Sequence, residues 1–311
     1  MKRLLFTHGA DIDGMGSAIL ARLAFVDIDI IYARNVSDLE VKFINEYESG
    51  RLYEYDIVYI TDLSLKMDIA DKVYSDEKLK DKLYLFDHHE TALSSGLNKY
   101  NNVNVHVELN GVKTCGTELF YLYLKENEYL NDTIAISEFV EKVRREDNWE
   151  WENYDDIVSH DLAILFNTIG IERFVASMVE LLGEEKDAFK LNDTLINEVE
   201  NKKEKIKMAI ESSKRFVRKE IIDGIKTLIV FITYEYRNDV ADYFKKNNDI
   251  DFDVVAMIAL DNDQISIRSL KSNNYARILA EKYGGGGHDT AAAIPLDYNN
   301  KSKIVDTLFN F

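Results

Sequence analysis

Carboxylates and imidazoles recur in short clusters where apolar runs of this chain end. His8, Asp11 and Asp13 follow Arg3-Leu4-Leu5-Phe6-Thr7, Asp62 follows Asp56-Ile57-Val58-Tyr59-Ile60-Thr61, and Asp87-His88-His89 follows Lys82-Leu83-Tyr84-Leu85-Phe86. A fourth cluster, Arg145-Glu146-Asp147-Asn148-Trp149, ends a helical stretch. Hard and borderline divalent cations take this mixture of oxygen and imidazole ligands, and in hydrolytic sites two such ions sharing a carboxylate lie about 3.5–4 Å apart. Mn2+ suits the mixture best, because Mg2+ is usually held by one or two carboxylates with several waters. An isolated Asp-x-Asp or His-His pair is more often turn or surface chemistry; four clusters together reverse that balance.

Positioning such residues is a task for parallel strands, since side chains just beyond their carboxyl ends converge on one crevice of an open α/β sheet. Strands are expected at 3–7, 28–32, 56–61, 82–86 and 103–108, alternating with amphipathic helices over the first 180 or so residues. Ser37-Asp38-Leu39-Glu40 has capping-box spacing at a helix start, and Gly50 stands where that helix should stop. The charged, proline-free stretch from Glu184 to Glu220 reads as a helical connector with a solvated face. After Asp223-Gly224 the pattern restarts, with strands at 225–232, 253–260, 264–269 and 290–296, helices near 238–247 and 274–282, and a tight hairpin at Asn262-Asp263. The fold class is therefore α/β, a parallel-sheet domain over 1–185 joined by a connector over 186–222 to a smaller α/β domain over 223–311.

With 311 residues, 46% of them hydrophobic, the chain can build two cores. No long apolar segment with a small-residue cleavage site opens the sequence, and one cysteine, Cys115, cannot form an internal disulfide; a cytosolic protein off the membrane is expected. A formal charge of −18 disfavours long DNA or RNA, whose non-specific affinity comes from neutralising many phosphates, and favours a short substrate. Cys115 sits at a helix start without a recognised base nearby in sequence and reads as a buried bystander; His106 and His160 read as structural. Trp149 and Trp151 read as packing that holds Asp147, ahead of a base-stacking platform.

The four clusters resemble, in order, the motifs of the DHH phosphoesterase superfamily, which includes RecJ-like exonucleases, nanoRNases, cyclic-dinucleotide phosphodiesterases and family II pyrophosphatases. Tyr283-Gly284-Gly285-Gly286-Gly287-His288, followed by Asp289-Thr290-Ala291-Ala292-Ala293, resembles the signature of the associated C-terminal domain. The resemblance implies that His8, Asp11 and Asp62 hold one ion and Asp13, Asp62, His88 and Asp147 a second, with Asp62 as bridge. Two Mn2+ ions are implied, with Mg2+ and Co2+ as alternatives, and a water between them as nucleophile. By the same resemblance His89 faces the substrate phosphate while Asp87 orients an imidazole.

In the C-terminal domain the four glycines let backbone amides approach an anion, His288 adds a donor, and Arg268 occupies a position where the family often carries a substrate-binding arginine. Asp147 followed closely by Trp149 resembles the nanoRNase branch. The activity implied is hydrolysis of short oligoribonucleotides. Cyclic or linear dinucleotides and 3′-phosphoadenosine 5′-phosphate are alternative substrates, and an inactive nucleotide sensor is the reading from a different class. The sequence leaves open whether the chain forms a homodimer.

Overall fold

Five parallel strands, β1 (Arg3–His8), β2 (Ile28–Ala33), β3 (Ile57–Thr61), β4 (Leu83–Asp87) and β5 (Val103–Val105), pair in the order β2-β1-β3-β4-β5. Their period-two alternation feeds two cores. Leu4, Phe6, Val58, Ile60, Leu83 and Leu85 enter one, while Leu5, Tyr59 and Phe86 enter the other. Burial on both faces is why these strands read as nearly continuous apolar runs.

The helices are α1 (Ile12–Ala24), α2 (Val36–Glu48), α3 (Met67–Tyr74), α4 (Glu90–Ser95), α5 (Gly116–Glu126), α6 (Ile134–Asp147), α7 (Ile157–Glu184) and α8 (Asp193–Lys214), with a small hairpin of β6 (Glu108–Leu109) and β7 (Val112–Lys113) before α5. Residues of α1, α5, α6 and α7 pack on one face of the sheet; α2 and α3 cover the other. The chain leaves β1 through α1 to reach β2, then passes through α2 to β3 on the far side of β1. That reversal makes the carboxyl ends of β1 and β3 the switch point of the sheet, where ligands bind in open α/β folds.

The computed structural model describes residues 1–248, 251–297 and 301–303. They divide between two units, Met1–Val199 and Glu200–Phe311. The second carries a six-stranded mixed sheet. Its elements are β8 (Val217–Ile222), β9 (Ile225–Phe231), α9 (Arg237–Lys246), β10 (Val254–Ala259), β11 (Gln264–Ser269), α10 (Tyr275–Lys282), β12 (Gly286–Gly287) and β13 (Ala291–Pro295), with strand order β12-β13-β11-β10-β9-β8. Only β9 and β10 pair in parallel. Val240, Ala241 and Phe244 of α9 share a core with Leu228, Val230, Val255 and Met257, while α10 packs on the opposite face against Val254, Ala256 and Ile267.

Several local expectations are corrected. Asn35, not Ser37, caps α2, its side chain accepting from the Asp38 amide at 3.0 Å, and Glu40 instead pairs with Lys66. The fifth strand stops at Val105, and residues 108–109 belong to the separate hairpin. The expected connector helix breaks after Glu184, resumes at Asp193 and gives way to β8 at Val217. Asp223-Gly224 is the turn of the β8–β9 hairpin, with φ of 53° and 83°.

Among the described residues, α7 alone is long and apolar enough to cross a membrane by length and composition. Gly170 interrupts it at φ 76°, ψ 170°, and Leu162, Leu165, Phe174 and Met178 are core residues.

Candidate metal centre

His8 closes β1, Asp62 follows β3, and Asp87-His88-His89 runs out of β4, so three neighbouring strands deliver their terminal side chains to one edge. Asp11 caps α1 by accepting from the Gly14 amide at 3.2 Å, Asp13 lies in the first turn of α1, and Asp147 is the last residue of α6.

Three overlapping ligand groups result, and Asp62 belongs to two of them. His8 Nδ1 lies 2.6 Å from Asp11 Oδ2 and 3.3 Å from Asp62 Oδ2. His88 Nε2 lies 3.4 Å from Asp62 Oδ1, 3.6 Å from Asp13 Oδ2 and 3.6 Å from Asp147 Oδ2. His8, Asp11 and Asp62 place potential ligand atoms within 4.8 Å of one another, as do Asp13, His88 and Asp147. Asp62, His88 and His89 form a third such group.

Two of these atoms, His88 Nε2 and Asp147 Oδ2, are buried without a hydrogen-bond partner. Buried polar atoms ordinarily find partners, and ligands converging without them fit divalent cations. The electrostatics agree. Burial and the charges of Asp13 and Asp11 push the Asp62 carboxyl well above its usual range, and burial with the field of Asp13 pushes Asp147 up to about 8. Burial pulls the His8 imidazole down, but Asp11 and Asp62 outweigh it and carry the ring to about 10; the same contact holds Asp11 below its usual value against burial. Without a cation the cluster keeps protons to contain its own charge.

Surrounding contacts orient the ligands. His8 Nε2 lies 3.1 Å from the Arg34 carbonyl, and donation there keeps Nδ1 as the nitrogen a cation would take once it displaces the proton shared with Asp11 and Asp62. Both Asp13 oxygens accept amides at the start of α5, from Gly116 and Thr117 at 2.7 Å each, and the Thr117 hydroxyl donates to the Asp13 carbonyl. Asp87 is buried and accepts from the His88 amide at 2.7 Å, from the Ser64 hydroxyl and from His89 Nδ1 at 2.7 Å. Burial raises Asp87, but its contact with His89 prevails and holds it below the usual carboxylate range. His89 itself is half exposed.

Two glycines that the sequence does not mark as functional form the scaffold of the site. A Cβ on Gly116 would lie 2.8 Å from Asp62 Cβ and 2.9 Å from its Cα and N, while one on Gly14 would collide with the His8 carbonyl oxygen at 1.9 Å. Asp62 has φ 58°, a left-handed conformation that costs free energy in a non-glycine residue, so the strain sits on the shared carboxylate. Gly-Thr directly after a helix cap was the available sign of Gly116 and Thr117. Cys115 is that cap, buried, with Sγ accepting from the Glu118 amide at 3.4 Å; burial and nearby Asp13 push its thiol well up.

Trp151 stacks on His160 with centroids 4.2 Å apart, and His160 Nδ1 lies 3.3 Å from Glu146, beside Asp147. Trp149 does not pack as expected: it is 70% exposed at φ 56°, because its amide closes the end of α6 on the Glu146 carbonyl and the turn throws the indole outward. The His106 side chain is exposed, though its amide donates to the Asp87 carbonyl at 3.1 Å.

In the second unit Arg268 lies on β11 and donates to the Ile267 carbonyl at 3.1 Å and to Asn238 Oδ1 at 3.2 Å. The glycine run enters β12. Gly285 and Gly287 are required by β13, since a Cβ on either would meet the carbonyl oxygens of Ala293 at 2.0 Å or Ala291 at 2.6 Å, whereas Gly284 and Gly286 face open space. His288 is exposed in the following turn, its amide donating to the Ala291 carbonyl at 2.8 Å.

A doubly covered parallel sheet carrying clustered carboxylates and imidazoles at its switch point is the architecture of DHH phosphoesterases. The fold is shared with a manganese-bound exonuclease RecJ (TM-score 0.58, 14% identity, 100% of this chain and 90% of that one) and with the pGpG-specific phosphodiesterase PggH of Vibrio cholerae (TM-score 0.56, 15% identity, 100% and 98%). No family model matches the chain. Over 292 residues it is 31% identical to the oligoribonuclease NrnB of Bacillus subtilis, covering 93% of this chain and 71% of that protein, and it belongs to that DHH oligoribonuclease family.

Proposed function

We propose that the protein is a divalent-metal-dependent phosphodiesterase that hydrolyses short oligoribonucleotides. The observation that carries this reading is Asp62, a buried carboxylate whose two oxygens face two different imidazoles. His8, Asp11 and Asp62 would hold one ion, and Asp13, Asp62, His88 and Asp147 a second, with Mn2+ the preferred metal. Bound there, divalent ions supply a water of lowered pKa and neutralise charge on the phosphoryl oxygens.

The remaining work belongs to side chains. Asp87 accepts from His89 Nδ1 and fixes the orientation of the ring, which would turn Nε2 toward a phosphate oxygen of the substrate. The α5 amides hold Asp13 in its ligand orientation. Arg268, the Gly284–Gly287 run and His288 would bind the substrate in the second unit. The acidic balance of the chain supports short substrates and a protein that leaves long nucleic acid alone; we place it in the cytosol, as either a monomer or a homodimer.

The deciding experiment is a substrate panel in Mn2+: linear dinucleotides, pentamers, long single strands, cyclic dinucleotides, pyrophosphate and 3′-phosphoadenosine 5′-phosphate. Fastest turnover is expected on the short linear RNAs and none after chelation. Undiminished turnover by exhaustively stripped protein would overturn the metal mechanism, and pyrophosphate as best substrate would overturn the oligonucleotide reading.

A further inference from the structure

Beside Arg268 the second unit holds another guanidinium to which no role has been given. Arg237 opens α9, its side chain folded over the Tyr234 ring at 4.1 Å from the centroid, with Nη1 donating to the Tyr234 carbonyl at 3.2 Å. The next residue, Asn238, accepts from Arg268 Nη2 at 3.2 Å through Oδ1, which ties the start of α9 to β11. Both arginines are half-buried. The described ion pairs include carboxylate partners for Arg34, Arg51, Arg144, Arg145, Arg173, Arg218 and Arg277, but none for Arg237 or Arg268. Arg3, Arg22 and Arg215 likewise have no carboxylate partner among those ion pairs, but Arg237 and Arg268 are neighbours, linked through the start of α9.

The local field points the same way. Burial and then the charge of Arg237 lower the Arg268 guanidinium from its ordinary value, and the opposing influence of Asp242 ranks below both. Two half-buried like charges repel, and a dianionic phosphate between planar forks removes that repulsion while accepting several hydrogen bonds. On the β13 side small residues stand beside Arg268, Ala291 opposite it and Ala293 opposite Ser266 on the same face, while on the β10 side it stands opposite the buried Val255.

We propose that Arg237 and Arg268 together bind a terminal phosphate of the substrate, the one not being cut, with Asn238 positioning the Arg268 fork. The proposal rests on the reading that the second unit binds substrate and adds Arg237 and Asn238 to it. It defines the preferred ligand as a short oligonucleotide carrying a terminal phosphate, over the same oligonucleotide ending in hydroxyls.

The test uses the full chain without divalent metal, so that binding is read without turnover. Titration calorimetry would compare 5′-phosphorylated diadenylate with diadenosine monophosphate for wild type, Arg237→Ala, Arg237→Lys and Asn238→Ala, with thermal melts confirming folding. The phosphorylated ligand should bind wild type at least about tenfold more tightly, the value of one or two charge-assisted contacts. Arg237→Ala should abolish most of that difference and leave the unphosphorylated ligand unchanged, while Arg237→Lys should recover part of it and Asn238→Ala should lose a smaller share. Equal weakening of both ligands in Arg237→Ala, or an unchanged preference, would overturn the arginine pair and leave the substrate-binding reading intact. Wild-type affinity that persists unchanged in Arg268→Ala and His288→Ala would overturn that underlying reading instead.

Discussion

Asp62 Oδ2 lies 3.3 Å from His8 Nδ1 while its Oδ1 lies 3.4 Å from His88 Nε2, so one carboxylate divides its two oxygens between two imidazoles. Its backbone is strained at φ 58° and its side chain is buried, which leaves it little freedom to do anything else. Asp62→Ala should therefore lower occupancy of both ions, not one, and reduce kcat/KM by at least about 100-fold. Metal content by mass spectrometry and steady-state rates check this together. A variant that keeps near-normal occupancy and rate would remove Asp62 from the bridge.

Stability without metal should fall as pH rises. Asp147, raised to about 8 in the fold from an ordinary 3.8, contributes most below its unfolded pKa and loses that contribution as pH climbs toward 8. His8, raised from 6.5 to about 10, contributes fully below 6.5 and loses its share as pH climbs toward 10. Both signs agree, so the melting temperature in chelator should drop between pH 6 and pH 9. Metal binding must displace these protons, so stabilisation by added Mn2+ should grow over the same interval. Melts at the two pH values, with and without Mn2+, provide the check; a chelated protein more stable at pH 9 would contradict the protonation scheme.

Gly116→Ala tests the scaffold. The added methyl would meet the Asp62 backbone and Cβ at 2.8–2.9 Å, and the helix start would have to withdraw, taking its amide away from Asp13. Overpacking of this kind costs roughly 1–3 kcal/mol, and metal affinity should fall at least about tenfold while helical content is retained. Gly183→Ala, with open space around the new methyl, is the matched control and should change neither. Circular dichroism and metal titration distinguish the two.

Substrate grip and metal binding should separate. His288→Ala should raise KM for oligoribonucleotides with metal content unchanged, since His288 lies in the second unit and the clustered metal ligands in the first. Loss of metal from folded His288→Ala would contradict that division.

Length preference follows from charge. At one moderate salt concentration kcat/KM should be higher for dinucleotides to pentamers than for an RNA of about thirty residues, because an acidic surface gains little from additional phosphates. Processive shortening of the long strand at higher kcat/KM would favour an exonuclease of the RecJ kind.

Much of this molecule was legible in its sequence, because the first sheet buries both faces and runs such as Leu4-Leu5-Phe6 and Val58-Tyr59-Ile60 have one stable use. Residues just after such strands share an edge by topology alone, which is how His8, Asp62 and His88 could be grouped before any distance was known. Tertiary structure decided what depends on contacts remote in sequence. The α5 amides reach Asp13 across about a hundred positions, the Arg34 carbonyl selects the His8 tautomer, and close approach of the Asp62 backbone requires glycine at 116. Local signals failed where two elements competed for one segment. Asn35 took the cap that Ser37 and Glu40 seemed to form once Glu40 found Lys66, and Val217–Ile222 joined a sheet whose partner strand supplied hydrogen bonds no helical pattern could reveal. Strand periodicity is written locally; which side chains meet beyond the strand ends is decided by packing, whose determinants are scattered over the whole chain.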